Sequence, residues 1–320
     1  MAKWIEYIHS VNPDYLWMKR RNNDFGDWVP ANSDTDKNLI ATAYWAYDCK
    51  LMAEMGRAIG KNTEAVYYQN LADKIQAAFN KKFVKDDGTV GNGSQTCYAL
   101  ALYMNLIPAK LRPLAVQHLV RDIRIRGGHL STGFVGAPYL MLALSENGQT
   151  ETAYQLLLND TFPSWGYMIR KGATTMWERW NGDTGDPSMN SYNHYAYGSV
   201  GVWIYRHALG IQLDPKVPGF KRLVIRPEID QRLTFMDGSV ETPYGAVKTS
   251  WKKSFDGPLT LDVTVPPNTL ATVYVPAADR KSVMESEKPA DDNSEVTFLK
   301  MERGYAVFSV AAGTYHFTAK

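Results

Sequence analysis

Along the first 210 residues, apolar positions recur every three or four residues between short Gly, Pro and Asn breaks, and beyond Leu213 they recur every second residue. The first texture predicts helices. Over 34–59, Leu39, Ile40, Ala43, Tyr44, Tyr47, Leu51, Met52, Met55 and Ile59 share one face of a long amphipathic helix, with Asp34 as its N-cap and Gly60 as its stop. Further helices are predicted over 63–83, 94–106, 108–126, 136–145, 150–158 and 195–209, the helix at 108 with Pro in its first turn. Antiparallel helices of this kind read as part of a toroid of helical hairpins whose longer loops carry function. No segment repeats at a fixed period, which argues against a plain helical-repeat array.

The second texture predicts strands over 221–226, 246–255, 259–265, 271–275, 305–310 and 314–318. Asp256-Gly257-Pro258 and Pro266-Pro267-Asn268 supply turns between them, and a Pro/Gly linker at 214–220 precedes them. These strands make a small antiparallel β-sandwich of roughly 100 residues. The acidic run at 285–294 reads as a solvated loop. The expected domains are therefore 1–213, helical and catalytic, and 214–320, the β-sandwich.

Composition narrows the function classes. With 45% hydrophobic and 21% charged residues among 320, the chain has the makings of a packed core rather than a disordered region. The net charge is only +2, and the 35 basic residues are scattered, so neither nucleic acid nor a membrane surface is an expected partner. The first residues lack an apolar signal-like core, and no run of about 18 apolar residues occurs. The chain as written is therefore expected to be cytoplasmic. Cys49 and Cys97 lie in apolar helix-like stretches and are expected as buried free thiols. No His-x-x-x-His, Cys-x-x-Cys, Gly-x-Ser-x-Gly or nucleotide fingerprint is found, so neither metal nor cofactor is expected. Gly91-Asn92-Gly93-Ser94 is a Gly-rich turn, but it lacks the P-loop lysine and a preceding strand.

Aromatic residues make up 12% of the chain, with nine Trp and nineteen Tyr, many beside Gly, Asn or Asp. The densest chemistry is in Thr174-Thr175-Met176-Trp177-Glu178-Arg179-Trp180, where one carboxylate sits between two indoles. Aromatic rings beside a proton-handling carboxylate suit glycoside hydrolysis, although that reaction normally uses two carboxylates. Downstream, His194 lies among Asn and Tyr at a helix entrance, where it either contacts a sugar hydroxyl, orients a carboxylate, or belongs to a capping cluster. Upstream, Asp27 and Trp28 lie on a Gly/Pro loop ahead of the longest helix, where Trp28 is either an aromatic wall or a packing residue. His129, on the Gly127-Gly128-His129 loop, is a further residue expected at the same end of the toroid.

Taken in order, Gly26-Asp27-Trp28, Gly93-Ser94-Gln95-Thr96, Gly133-Phe134-Val135-Gly136, Trp177-Glu178-Arg179-Trp180 and Asn193-His194-Tyr195-Ala196-Tyr197-Gly198 resemble the catalytic region of bacterial α-L-rhamnosidases. The string headed by Asn190-Ser191-Tyr192 belongs to the same match. The resemblance implies an inverting glycoside hydrolase with an (α/α)6 barrel and a C-terminal β-sandwich, here as a partial (α/α)6 toroid. It makes Glu178 the general base that activates water, and His194 and Trp28 contacts to rhamnose in the −1 subsite. Asp27, Trp177 and Trp180 complete the expected substrate-binding set. In an inverting enzyme the two carboxyl groups stand about 6.5–9.5 Å apart, with room for water between them.

The family's general acid lies in an Asp-Glu-Arg-x-Gly-Trp-like segment upstream of the Gly-Asp-Trp loop, and this chain is expected to lack it. Met301-Glu302-Arg303-Gly304-Tyr305, in the β region, is a chance likeness. The expected function is hydrolysis of terminal α-L-rhamnose, impaired in the isolated chain, which is expected to self-associate through its incomplete barrel. The alternatives are a rhamnose-binding fragment without turnover and a different (α/α)6 glycosidase.

Overall fold

Asp36, rather than Asp34, begins the long helix. Its carboxylate accepts from the Asn38 N–H at 2.8 Å, and α2 runs Lys37–Ala58. The Asp34 carboxylate is instead taken by the N–H of Thr35 at 2.9 Å. Gly60, at φ +74°, lets the chain reverse into α3 (Asn62–Phe83). The two helices lie against each other, and among their buried residues are Leu39, Ala46 and Ala53 of α2 and Leu71, Ile75 and Phe79 of α3. The computed structural model describes every residue except 186, 187, 190, 254–256 and 320. The head of the Asn190 string, the strand end at Phe255 and Asp256 of the predicted turn lie outside the described residues.

Two further hairpins follow, α4 (Gln95–Tyr103) with α5 (Arg112–Ile125) and α6 (Ala137–Glu146) with α7 (Thr150–Leu158), and α4 also packs on α2 and α6. Every residue of α4 from Gln95 to Leu102 is buried, as expected of a helix with neighbours on all sides. The Ser94 hydroxyl caps it, accepting from the Cys97 N–H at 3.2 Å. The first-turn proline of α5 is Pro113, not Pro108, because Leu111 N–H closes a separate turn onto the Pro108 carbonyl at 2.9 Å.

Two helices were not among those predicted, α1 (Ala2–Val11) and α8 (Trp165–Arg170). In α1, Trp4, Tyr7, Ile8 and Val11 recur at the helical period, although only Ile5 and Ile8 are buried while Trp4 and Tyr7 are exposed. The helix predicted over 195–209 is broken into a 3-10 turn at Tyr197–Ser199, α9 at Val200–Trp203 and a π turn at Ile204–Ala208. Cys49 and Cys97 are both buried free thiols.

The chain divides into two compact units, Met1–Val200 and Gly201–Lys320. Within the second, one sheet has the order β1 (Ile211–Leu213), β2 (Arg222–Ile225), β6 (Leu270–Pro276), β10 (Tyr305–Val310) and β9 (Val296–Glu302). The other has β3 (Phe235–Thr242), β4 (Gly245–Lys253), β5 (Leu259–Val265), β11 (Gly313–Ala319), β7 (Val283–Glu285) and β8 (Lys288–Pro289). Among the described residues the pairings are antiparallel except β2 with β6, which is parallel. Strict alternation in β5 turns Leu259, Leu261, Val263 and Val265 inward, where they join Trp251, Val273, Phe308 and Phe317 in one core.

The segment 214–220 connects β1 to β2 within a sheet. The run at 285–294 is mostly exposed, as expected, but it holds β8 and a 3-10 turn at Ala290–Asp292, and its first residue is buried. Glu285 is only 6% exposed, and its carboxylate accepts from Ser286 Oγ at 2.7 Å and Asn293 Nδ2 at 2.8 Å. These bonds satisfy its buried charge. The Met301–Tyr305 string forms the β9–β10 hairpin, with Arg303 and Gly304 both at positive φ in its turn.

Candidate active site

The Asp27 carboxylate is the anchor of the loop cluster, although it is only 7% exposed. Oδ2 accepts from Thr96 Oγ1 at 2.5 Å and from Gly133 N–H at 2.8 Å, while Oδ1 accepts from Val135 N–H at 2.8 Å and Gly136 N–H at 2.9 Å. Burial pushes this carboxyl above the usual carboxylate range, with the four hydrogen bonds acting in the opposite direction. Asp27 thus ties its own loop to the start of α4 and to the loop ahead of α6. Gly133 and Gly136 are required for that approach. A Cβ at Gly133 would stand 2.2 Å from the Trp28 carbonyl oxygen, and one at Gly136 would stand 2.2 Å from Thr96 Oγ1. Gln95 holds the same loop from α4, accepting from Ser131 N–H at 2.8 Å and donating to the His129 carbonyl at 3.1 Å.

Next to Asp27, the Trp28 carbonyl accepts from Phe134 N–H at 2.9 Å. The indole itself is 38% exposed and edge-on to Phe25 at 5.4 Å. Val29 follows at φ +49°, a left-handed conformation that a β-branched residue holds only at a cost of about 1–3 kcal/mol. Its carbonyl accepts the Tyr197 hydroxyl at 2.6 Å.

The Trp-Glu-Arg-Trp loop runs alongside the His194 loop. Glu178 N–H donates to the Ser191 carbonyl at 3.0 Å, and His194 N–H donates to the Met176 carbonyl at 2.7 Å. Glu178 is 5% exposed. His194 Nδ1 accepts from the Ala196 N–H at 3.2 Å, which leaves Nε2 as the proton-bearing nitrogen of the neutral ring. Its ring lies 4.5 Å from that of Phe134, and Phe134 in turn meets Tyr197 edge-on at 5.3 Å. Burial first, and then the Asp27 charge, raises the Tyr197 phenol far above its ordinary value, with Glu178 adding to the effect and Arg179 opposing it. Glu178, His194 and the adjacent pair Asp27 and Trp28 therefore lie on three loops, the first two bonded to each other and both joined to the third through the Phe134 loop.

Asp27, Trp177 and Trp180, expected from the sequence to meet a sugar, are each committed to the protein. The Asp27 oxygens are filled as described. Trp180 is 2% exposed, donates Nε1 to the Thr132 carbonyl at 3.0 Å, and stacks on Tyr197 at 3.9 Å with Trp165 against its edge at 5.4 Å. Trp177 is 6% exposed and packs so closely on Gly182 that a Cβ there would stand 2.7 Å from the ring. His129 is likewise taken up, its ring nitrogens 2.7 Å from the Arg126 carbonyl and 2.8 Å from Thr161 Oγ1. Phe134 and Tyr197 lay inside the matching motifs without being singled out, and the flanking Gly133 and Gly136 were the signal that something packs there. Beside these loops, Val29, Asn32, Phe162 and Arg179 help to line a cavity of about 180 Å³. Among the described residues no group of three or more His, Cys, Asp or Glu could hold a metal ion. None of the described helices is long and apolar enough to cross a membrane.

Two family descriptions match the chain: the bacterial α-L-rhamnosidase six-hairpin glycosidase domain over residues 1–208 and the bacterial α-L-rhamnosidase C-terminal domain over residues 210–290. An α-L-rhamnosidase of Streptomyces avermitilis is 40% identical over 98% of this chain and 30% of its own length. One of Formosa agariphila is 36% identical over 100% of this chain and 35% of its own. The crystal structure of the Streptomyces avermitilis enzyme complexed with L-rhamnose superposes with a TM-score of 0.91 at 40% identity, covering 100% of this chain and 30% of that one. The α-L-rhamnosidase from Dictyoglumus thermophilum gives a TM-score of 0.90 at 32% identity, covering 100% and 36%. The chain thus spans about a third of the length of the curated relatives it matches. Because the first family description covers well over half of the 320 residues, in a helical-hairpin unit followed by antiparallel sheets, the chain belongs to the bacterial α-L-rhamnosidase six-hairpin glycosidase family.

Proposed function

We propose that this chain carries the water-activating side of an α-L-rhamnosidase active site, with Glu178 as the general base of an inverting hydrolysis of terminal α-L-rhamnosides. The observation that carries this reading is the buried Glu178 carboxylate on a loop bonded directly to the His194 loop, in a chain whose relatives are α-L-rhamnosidases. In the proposed mechanism, Trp28 stacks on the sugar ring and His194 Nε2 donates to a sugar hydroxyl. Glu178 takes a proton from the water that attacks the anomeric carbon from the face opposite the leaving group. Asp27, Trp177 and Trp180 hold these groups in place without touching substrate.

A second reading, a rhamnose-binding fragment without turnover, is favoured by the bonding of Asp27. The other buried carboxyl of the loop cluster already has four partners, so it is poorly placed to protonate a leaving group. The deciding experiment offers the chain a nitrophenyl α-L-rhamnoside, whose leaving group departs with little help from an acid, next to the corresponding glucoside. Release of nitrophenol from the rhamnoside alone supports the hydrolase. Rhamnose binding without release supports the binding fragment, and turnover of the glucoside instead overturns the substrate assignment.

A further inference from the structure

The Trp28 indole offers an exposed ring from an unfavourable piece of backbone. The residue after it, Val29, is β-branched and sits at φ +49°, a conformation that its own side chain opposes. Such a turn persists only where its surroundings fix it. Phe134 N–H holds the Trp28 carbonyl at 2.9 Å on one side. On the other, the Tyr197 hydroxyl reaches across 168 positions of sequence to donate to the Val29 carbonyl at 2.6 Å.

We propose that Tyr197 is a positioning residue for Trp28: its hydroxyl locks the left-handed Val29 turn and so aims the indole at the sugar. The ligand in this statement rests on the rhamnoside reading, whereas the clamp rests on geometry alone. Tyr197 is suited to the task because it is itself immobilised. It is fully buried, its ring stacks on Trp180 at 3.9 Å, and its carbonyl accepts from Trp165 Nε1 at 2.9 Å. Burial also keeps the phenol protonated, so the hydroxyl remains a donor at any ordinary pH. A ring fixed at both ends delivers its hydroxyl to one point, and Val29 accepts it there.

Tyr197→Phe removes the hydroxyl and leaves the ring packing in place, which makes it the variant of choice. The chain is labelled with 5-fluorotryptophan, the Trp28 resonance is assigned by its loss in Trp28→Phe, and the Trp251 resonance in the other unit serves as a control. We expect Tyr197→Phe to shift or broaden the Trp28 resonance while Trp251 stays put; a Trp28 resonance identical to wild type overturns the clamp. Rhamnose affinity is then measured around the cycle of wild type, Tyr197→Phe, Trp28→Ala and the double variant. A roughly threefold to tenfold weakening by Tyr197→Phe that disappears in the Trp28→Ala background is the coupling expected of a positioning residue. Losses that simply add overturn that role. Should the wild-type chain bind no rhamnose, the rhamnoside reading falls, and the Trp28 resonance still decides the clamp.

Discussion

Replacing Gly133 by alanine puts one methyl group into the tightest crossing of the site. The added carbon would lie 2.2 Å from the Trp28 carbonyl oxygen, 2.6 Å from the Asp27 carbonyl oxygen and 2.9 Å from the Asp27 carbonyl carbon. All three are backbone atoms, so no side chain can swing aside, and the loops must part by about 1 Å to restore ordinary van der Waals separation. A parting of that size breaks two hydrogen bonds that cross the gap, Phe134 N–H to Trp28 O at 2.9 Å and Gly133 N–H to Asp27 Oδ2 at 2.8 Å. Overpacking costs about 1–3 kcal/mol and the two bonds about 1 kcal/mol each, giving a loss of about 3–5 kcal/mol. For a unit of this size each kcal/mol moves the thermal midpoint by about 2–4 °C, so a fall of about 10 °C is expected. Circular dichroism at 222 nm follows the helical unit and measures it. Gly201→Ala is the control, because a Cβ there meets nothing within 4 Å. A midpoint for Gly133→Ala within about 2 °C of wild type would refute the claim that the Asp27 and Gly133 loops are locked together.

Asp27 also predicts a pH dependence of unusual sign. Its folded carboxyl titrates above the unfolded value of 3.8, so between these two values the native state holds a proton that the unfolded state has released. Stability contributed by this group is therefore greatest at acid pH and falls as pH rises through that window, and Asp27→Asn removes the effect. Denaturant titrations from about pH 4 to about pH 7 should show wild type losing stability relative to Asp27→Asn as pH rises; the opposite slope refutes it. The hydrolase reading likewise predicts a leaving-group dependence. Rates on nitrophenyl rhamnoside should far exceed those on an alkyl rhamnoside, whose departing oxygen needs a proton, and comparable rates on the two would show that a proton donor is in place.

Much of this architecture was legible in the order of apolar residues. The period in α2 and the alternation in β5 each follow from one buried face, and Gly60 ended its helix because it tolerates a positive φ. What was hidden depended on partners distant in sequence. Glu285 reads as solvated until Asn293 and Ser286 are seen around it. The same holds at the site. The string Trp177-Glu178-Arg179-Trp180 marks the place, but the sequence does not say which of its rings are walls and which are pillars. Trp180 and Trp28 are the same residue type beside similar neighbours, yet one is 2% exposed and stacked on Tyr197 while the other is 38% exposed and edge-on to Phe25. Asp27, likewise, gives no sign in the sequence of its four donors, three of which are backbone N–H groups invisible to any motif.

The role proposed for Glu178, activating the water that cleaves an α-L-rhamnoside, is tested by Glu178→Gln, a nearly isosteric side chain that cannot take a proton. Initial rates of nitrophenol release from the aryl rhamnoside by the two proteins should differ by about 10²–10⁴ in kcat, with KM little changed. A Glu178→Gln protein that hydrolyses the aryl rhamnoside at the wild-type rate would contradict that role.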